Sequence, residues 1–522
     1  MRITFITLLY LLSLRSISQP EVPTGRRLKE IAADKFTFGN VYIGGASSYN
    51  KWDSYSQIIL NREFNFIIPN NDFKQTVIHP EPGSWRWERP DGWIDSAKKN
   101  HQIIRMHSPI SPQASKWAKD DSRTGAELEQ NMTEYMTELC KRYNNVEEVV
   151  WMDVVNETVE RDGNWFGPKA GTDKWENPWT IVGFDETDDG LNPPAYIRKA
   201  FEIANEYAPN IKLIYNQHGD MEDAMWDKVK ATVLYLKSLG LRVDGIGWQA
   251  HLETDFLDDP NHIPKLKALI DWAHENDLEF HVTENDVDIL DGDDEDDQAL
   301  VFAAVVKAVV EKGINGVVAW NTWMIRESDG QGADGRPTLF YDNGSAKPAY
   351  YSVQQVLEEV NHTASLKIET IGLGSVNYSD TNFLRNTKIS LEALPDSGYV
   401  FSSWIDDIES TENPLIVTMD RDFSLRAIFK SQNSNETILH TDDYTTEIYP
   451  NPVEDGVLNI SGITDSTFIR LFDEFGRLLE QKTLVPSTPN SPTSFYTNQK
   501  PGIYFLEITQ NQTITTKKII IK

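Results

Sequence analysis

Trp151-Met152-Asp153-Val154-Val155-Asn156-Glu157 is answered far downstream by His281-Val282-Thr283-Glu284-Asn285-Asp286. Each segment is a short apolar, β-branched run that reads as a buried strand ending abruptly in a carboxylate. A buried strand has no structural need of that glutamate. Strand ends are often polar, so either glutamate alone reads as well as a solvated cap. It is the recurrence of the pattern, and what lies between, that asks for chemistry.

Between Leu28 and Glu359, apolar β runs alternate with helix-patterned segments. The runs are Phe38 to Gly45, Phe64 to Pro69, Ile103 to His107, Val149 to Asn156, Lys212 to Asn216, Val243 to Trp248, Glu279 to Thr283 and Val317 to Trp320. Eight strands with helices between them predict a (β/α)8 TIM barrel. Glu157 then closes the fourth strand and Glu284 the seventh, both on the face where barrel enzymes build their sites. Those strands lie across the barrel mouth from one another. Two carboxylates converging there suit glycoside hydrolysis, whose oxocarbenium-like transition state needs a proton at the leaving oxygen and a second carboxylate beneath the sugar ring.

The chain has 522 residues, too many for one ordinary core. Its 49 basic and 80 acidic residues give a net charge of −31, a field that repels nucleic acid and anionic membrane. Residues 1–18 have the layout of a cleavable signal peptide: Arg2, an apolar run from Ile3 to Leu14, then Ser16-Ile17-Ser18. That run is too short to span a bilayer, and no other segment approaches the required length. Cys140 is the only cysteine, in a helical pattern, so no intrachain disulfide can form and the thiol is read as a small buried hydrophobe. A monomer is expected.

The catalytic domain is placed at 24–361. After it, residues 364–430 read as a small β-module, 431–444 (SQNSNETILHTDDY) as a polar linker, and 445–522 as a third, strand-patterned domain. The expected fold class is therefore α/β, a barrel followed by two small all-β domains.

Leu28 to about Glu359 resembles glycoside hydrolase family 10, known best for retaining endo-β-1,4-xylanases. The resemblance rests on Trp151-x-x-Val154-Val155-Asn156-Glu157, Ala200-Phe201, Lys212-Leu213-Ile214-Tyr215-Asn216, and Gly245-Ile246-Gly247-Trp248-Gln249-Ala250-His251-Leu252. It continues in Leu339-Phe340 and Lys347-Pro348-Ala349-Tyr350-Tyr351. The resemblance implies Glu157 as general acid/base and Glu284 as nucleophile, a covalent glycosyl-enzyme, and no cofactor. Such a pair must stand about 5 to 5.5 Å apart, with the acid protonated at rest.

The same resemblance places Asn156 on the sugar 2-hydroxyl and His251 and Asp286 as a relay that keeps Glu284 ionised. It makes Trp320 a wall for the sugar beside the cut bond, and Asn71, Lys74, His107 and Gln249 substrate contacts. Each has a plainer reading: a turn-forming Asn, a satisfied core His, a packed Trp. The loop Arg161 to Asn192 follows the acid/base directly and carries Trp165, Phe166, Trp175 and Trp179, which predicts extra sugar stacking on the leaving-group side, except that Trp179 in Asn177-Pro178-Trp179 matches the family scaffold and is read as packing. The run Asp291 to Asp297 is acidic but lacks the EF-hand pattern, so it is read as a solvated loop, and no metal is expected.

Departures from the family pattern cluster on the other side of the cut. Where the family has Pro-Glu-Asn-x-x-Lys-Trp, this chain has Pro69-Asn70-Asn71-Asp72-Phe73-Lys74-Gln75; where it has His-Thr-Leu-Val-Trp-His, this chain has His107-Ser108-Pro109-Ile110-Ser111-Pro112. A second family tryptophan has no counterpart near Ser328. Sites that hydrogen-bond a particular hydroxyl reject sugars lacking it, so these changes bear on substrate. The expected activity is a retaining β-glycoside hydrolase with endo-1,4-β-xylanase as default. The alternatives are the same mechanism on another plant or algal β-glycan, and a binding protein that has lost turnover.

Gly398-Tyr399-Val400-Phe401-Ser402-Ser403-Trp404 resembles small bacterial β-repeat modules and is read first as a spacer, with glycan binding through exposed aromatics second. Tyr449-Pro450-Asn451-Pro452, Ile469 to Asp473, Gly502-Ile503-Tyr504-Phe505 and the basic tail Lys517 to Lys522 resemble a type IX secretion sorting domain. That resemblance implies the type IX secretion machinery as a partner beside the polysaccharide substrate, and a secreted or surface-attached enzyme.

Overall fold

The computed structural model describes residues 21–36, 40–49, 55–171, 175–327, 336–432, 446–463, 466–473, 477–488, 491–510 and 513–522. The signal peptide, nearly all of the linker, and Ser328 lie outside them. The eight runs form strands β1 (Val41–Ser47), β2 (Phe66–Pro69), β3 (Ile103–Met106), β4 (Val149–Asn156), β5 (Lys212–Gln217), β6 (Gly245–Trp248), β7 (Glu279–Asp288) and β8 (Val318–Thr322). Each pairs in parallel with its neighbour, and β8 returns to β1, closing the barrel.

Strand β7 runs on to Asp288, past the anticipated end at Thr283. A register shift between Val282 and Asn285 lets its second half pair with a short strand, His251–Glu253, so Glu284 sits at an irregularity within β7 and not at its end. Such irregularities re-aim a side chain at a barrel rim.

Helices outside the barrel start where the sequence caps them. Thr124 and Glu127 close a capping box on Gly125–Tyr143, whose buried residues, among them Leu128, Met132, Tyr135, Met136, Leu139 and Tyr143, recur at spacings of three and four. Cys140 is buried in the same stripe, its thiol pushed up to about 12 by burial. The acidic run 291–297 does comparable work: Asp294 accepts from the backbone of Asp296 and Asp297, and Asp297 reaches back to Asp294, opening helix Glu295–Lys312. Its carboxylates meet the positive end of the helix dipole.

Strand side chains alternate between an outer shell packed under the helices and the barrel lumen. The lumen holds a small apolar group, Ala46, Phe66, Ile68, Trp151, Ile214 and Ala319. Beside it runs a column of buried polar side chains. Gly247 makes room for this column: a Cβ there would fall 2.3 Å from Asn216 Oδ1 and 3.1 Å from an Arg105 nitrogen.

Among the described residues, compact packing groups those up to 394 and 401–428 in one unit, and 395–400 with those from 429 on in another. The first unit thus holds the barrel together with most of the β-module, where Thr363–Ile371 pairs antiparallel with Thr381–Leu384 and parallel with Phe423–Ser431. Trp404 is fully buried, so the indole of the Gly-Tyr-x-Phe signature is core and not a sugar platform. In the second unit, Thr467–Asp473 lies between Leu478–Leu484 and Gly502–Gln510, over a core that includes Leu458, Ile469, Leu471, Leu506 and Ile519.

Candidate active site

Four residues near the barrel's C-terminal rim hold left-handed backbones without being glycine: Ser108 (φ 40°), Glu157 (φ 53°), Ala250 (φ 61°) and Met324 (φ 55°). Such conformations cost energy and collect where a side chain must be aimed. They follow β3, β4, β6 and β8, and surround a cleft of about 460 Å³ whose lining includes Lys74, Gln113, Glu157, Trp175, Gln249, His251, Glu284 and Trp323.

A chain of amides ties the two glutamates. Asn216, next to last in β5, donates from Nδ2 to Glu284 Oε1 (3.1 Å) and to Asn156 Oδ1 (2.8 Å). Gln249 Nε2 donates to the same Asn156 oxygen (3.1 Å) and to Glu157 Oε1 (2.9 Å), which also accepts from Asn156 Nδ2 (3.1 Å). Both carboxylates are almost fully buried, at 9% and 4% exposure, so these contacts are little screened by water.

Glu284 is further flanked by two imidazoles and an ammonium. His107 Nε2 stands 3.6 Å from Oε1, and His251 Nε2 stands 3.4 Å from Oε2. Burial alone would raise its pKa, but His107, His251 and the Lys74 ammonium overcome this and hold it at about 2. His251 Nδ1 lies 2.8 Å from Asp286 Oδ1. Burial opposes the charged imidazole only in part, since it keeps 42% of its surface exposed, and the carboxylates of Asp286 and Glu284 raise its pKa well above the ordinary value. Burial raises Asp286, which His251 only partly offsets.

Beneath the cleft the polar column runs through the lumen. His107 Nδ1 meets Asp153 Oδ2 at 3.0 Å, and Arg105 grips both oxygens of Asp153. Burial would raise Asp153, but Arg105 and His107 keep it lowered. Arg105 also donates to His281 Nδ1, which fixes the tautomer so that Nε2 donates to Glu279 Oε2 at 3.0 Å. Glu279 accepts in turn from Trp151 Nε1 (2.8 Å) and Lys212 Nζ, and despite burial His281 and Lys212 hold its pKa at about 2. Glu279, His281, Arg105 and Asp153 were not singled out from the sequence. The available signal was alternation of polar residues in β7 (Glu279, His281, Thr283) and a lone charge among apolar neighbours inside each of β3 and β4, Arg105 and Asp153.

The aromatic wall needs a correction. Trp320 is fully buried, donates from Nε1 to Asn285 Oδ1 (2.9 Å) and packs edge-on against Phe302, so it is core. The indole lining the cleft is Trp323, three residues on, with His107 and His251 edge-on to it at ring separations of 5.4 and 5.9 Å. The strand ends two residues later than anticipated, which shifts the rim residue with it. Asn71 is placed in the turn that delivers Lys74, its carbonyl accepting from Lys74 N (3.0 Å), and its side chain is not among those lining the cleft.

Lys74 is buried and donates to Gln113 Oε1 at 2.6 Å. Burial lowers its pKa against the pull of Glu284, Glu157 and Asp153. Gln113 thus faces the cleft immediately after the altered Ser111-Pro112. Gln75 is a buried knot instead, joined to His79 O, Ser115 Oγ and Asn131 Oδ1. In the long loop, Trp179 is buried with Nε1 on Ser111 O, whereas Phe166 and Trp175 line the cleft.

A parallel (β/α)8 barrel with two bridged, buried glutamates at its C-terminal rim defines a glycoside hydrolase. Residues 27–356 match the model of glycosyl hydrolase family 10, and the chain belongs to that family. Residues 364–433 match a divergent InlB B-repeat domain, and 447–522 a secretion system C-terminal sorting domain, which addresses the protein for secretion or cell-surface attachment. A similar relative is endo-1,4-beta-xylanase A of Caldicellulosiruptor saccharolyticus, 30% identical over 348 residues, 60% of this chain and 92% of the relative. Xylanase 10B of Thermotoga maritima superposes with a TM-score of 0.55 at 26% identity, over 64% of this chain and 98% of its own. Xylanase 10B of Thermotoga petrophila, solved with xylobiose, gives 0.55 at 25% identity, over 65% and 99%.

Proposed function

We propose that the barrel hydrolyses β-1,4-xylan within the chain and with retention, Glu284 acting as nucleophile and Glu157 as general acid/base. The observation that carries this reading is the opposite setting of the two carboxylates. Glu284 is held ionised by His107, His251 and Lys74, while Glu157 accepts from uncharged N–H donors, the amides of Asn156 and Gln249 at Oε1 and the Trp175 indole at Oε2. A carboxylate kept charged suits attack on the anomeric carbon. A glutamate with its second oxygen toward the cleft suits proton transfer to and from the leaving side. Asn156 and Gln249 are the sugar-side amides, Trp323 the wall, and His251 with Asp286 the relay.

The xylan assignment draws on the activities by which the relatives are named. A second reading, another β-glycan, is favoured by one feature: the Lys74–Gln113 pair, next to Ser111 and Pro112, where the family's sugar ligand is absent.

Reducing-sugar release by the protein on xylans, β-glucans, mannans and algal polysaccharides, with Glu284→Gln alongside, tests both. Xylan cleavage that disappears in Glu284→Gln is the expected result. Activity confined to another polymer moves the assignment to that polymer. Turnover that survives Glu284→Gln removes the nucleophile role.

A further inference from the structure

Glu157 Oε1 is occupied twice by barrel amides, whereas Oε2 accepts from a loop residue, the indole Nε1 of Trp175 at 3.1 Å. Among the described residues, His218 Nδ1 also lies near that oxygen, at 3.8 Å. Trp175 is 49% exposed, lines the cleft, and carries the Lys119 ammonium 5.7 Å from its ring centre. A half-exposed tryptophan held by its N–H to one oxygen of the acid/base is placed to act on the proton transfer itself.

We propose that Trp175 is a positioning residue for Glu157 in the second half of the reaction, aiming Oε2 as the base that activates water. The proposal rests on the assignment of Glu157 and Glu284 above. In the first half, a Glu284 oxygen bonds to the anomeric carbon as the glycosidic C–O bond breaks, and the leaving oxygen takes the proton from Oε2. In the second half, a water oxygen bonds to the anomeric carbon, the ester C–O bond breaks back to the Glu284 carboxylate, and the water's proton passes to Oε2. An N–H donates strongly to an ionised oxygen and weakly to one that already carries a proton. The Trp175 bond therefore strengthens once the first proton has gone, and it fixes the direction of Oε2 when the departing sugar no longer does.

The test uses the full chain, Trp175→Phe (ring kept, donor lost) and Trp175→Ala, on an aryl β-xylobioside whose activated phenolate leaves without acid help, so that the second half limits turnover. Trp175→Phe is expected to keep KM for xylo-oligosaccharides within about twofold and to lower kcat on the aryl substrate about tenfold, the size of a lost bond to a charged group. Azide needs no base: its nitrogen bonds to the anomeric carbon as the ester breaks, and it should restore kcat while diverting product to the β-glycosyl azide. Trp175→Ala should show the same kcat loss and, in addition, a raised KM for polymer. An unchanged kcat in Trp175→Phe, a loss that azide does not relieve, or an equal loss in the rate of the initial phenolate burst overturns the proposal. Glu157→Ala separates the levels. If azide fails to rescue it, the acid/base assignment itself is wrong; if azide rescues it while Trp175→Phe behaves as wild type, only the role of Trp175 fails.

Discussion

His251 and Glu284 set each other's charge, and the sign of the consequence can be worked through. Glu284 drops from 4.5 to about 2 in the folded protein, so its ionised form contributes on the order of 3 kcal/mol at neutral pH, lost as pH falls from the unfolded value through the folded one. His251 is raised; its contribution is complete below the unfolded pKa and lost as pH rises through the folded one. Replacing His251 by Asn removes a cation 3.4 Å from the nucleophile. The carboxylate then protonates at higher pH, and the acid limb of kcat/KM should move toward neutral, measurable in a pH–rate profile.

Asp153 is held by Arg105 and His107 in a fully buried setting. Asp153→Asn leaves the Arg105 charge without its partner, which costs about 3 to 5 kcal/mol, and it frees His107 from its fixed orientation toward Glu284. Thermal or urea denaturation should show the loss directly.

At the scale of elements, the eight strands were legible because each is a short apolar run between helical patterns, and Glu157 and Glu284 stood out as charges those runs had no reason to end in. Strand limits were less legible. The sequence of β7 stays β-branched and polar through Asn285-Asp286-Val287, and only its pairing with His251–Glu253 shows that it continues. The same uncertainty at β8 moved the cleft-facing indole from Trp320 to Trp323. Gln113 was missed because a glutamine in a loop carries no signal until Lys74 is seen against it.

Gly247 belongs to this scale as well. Gly247→Ala puts a methyl into the space of Asn216, the residue that bridges Asn156 to Glu284. Overpacking of this kind costs about 1 to 3 kcal/mol. Activity should fall more than stability, since Asn216 can yield only by releasing a glutamate; comparing kcat/KM with the denaturation midpoint checks this.

For the whole molecule, the sorting domain and the barrel make separable demands. A chain ending before residue 447 loses the sorting match, and enzyme activity should vanish from the culture medium and cell surface of a type IX-competent host while persisting in cell extracts. Activity still exported without residues 447–522 would contradict that address. The −31 net charge is legible in composition alone, yet composition gives no hint that His107, His251 and Lys74 gather on one carboxylate; that local reversal of sign exists only once the barrel is closed.

The polar column through the lumen also bears on how such a protein can change. From His107 through Asp153, Arg105 and His281 to Glu279 and Lys212, each group satisfies the next, and His107 Nε2 lies 3.6 Å from Glu284 above them. A single replacement strands a buried partner, whereas a compensating pair passes. The interior is therefore resistant to change one step at a time, which leaves rim-loop positions such as Ser111 and Pro112 as the ones where a single replacement can alter the site without stranding a partner below. Lineages of this fold would diversify in diet while the machinery below stays fixed.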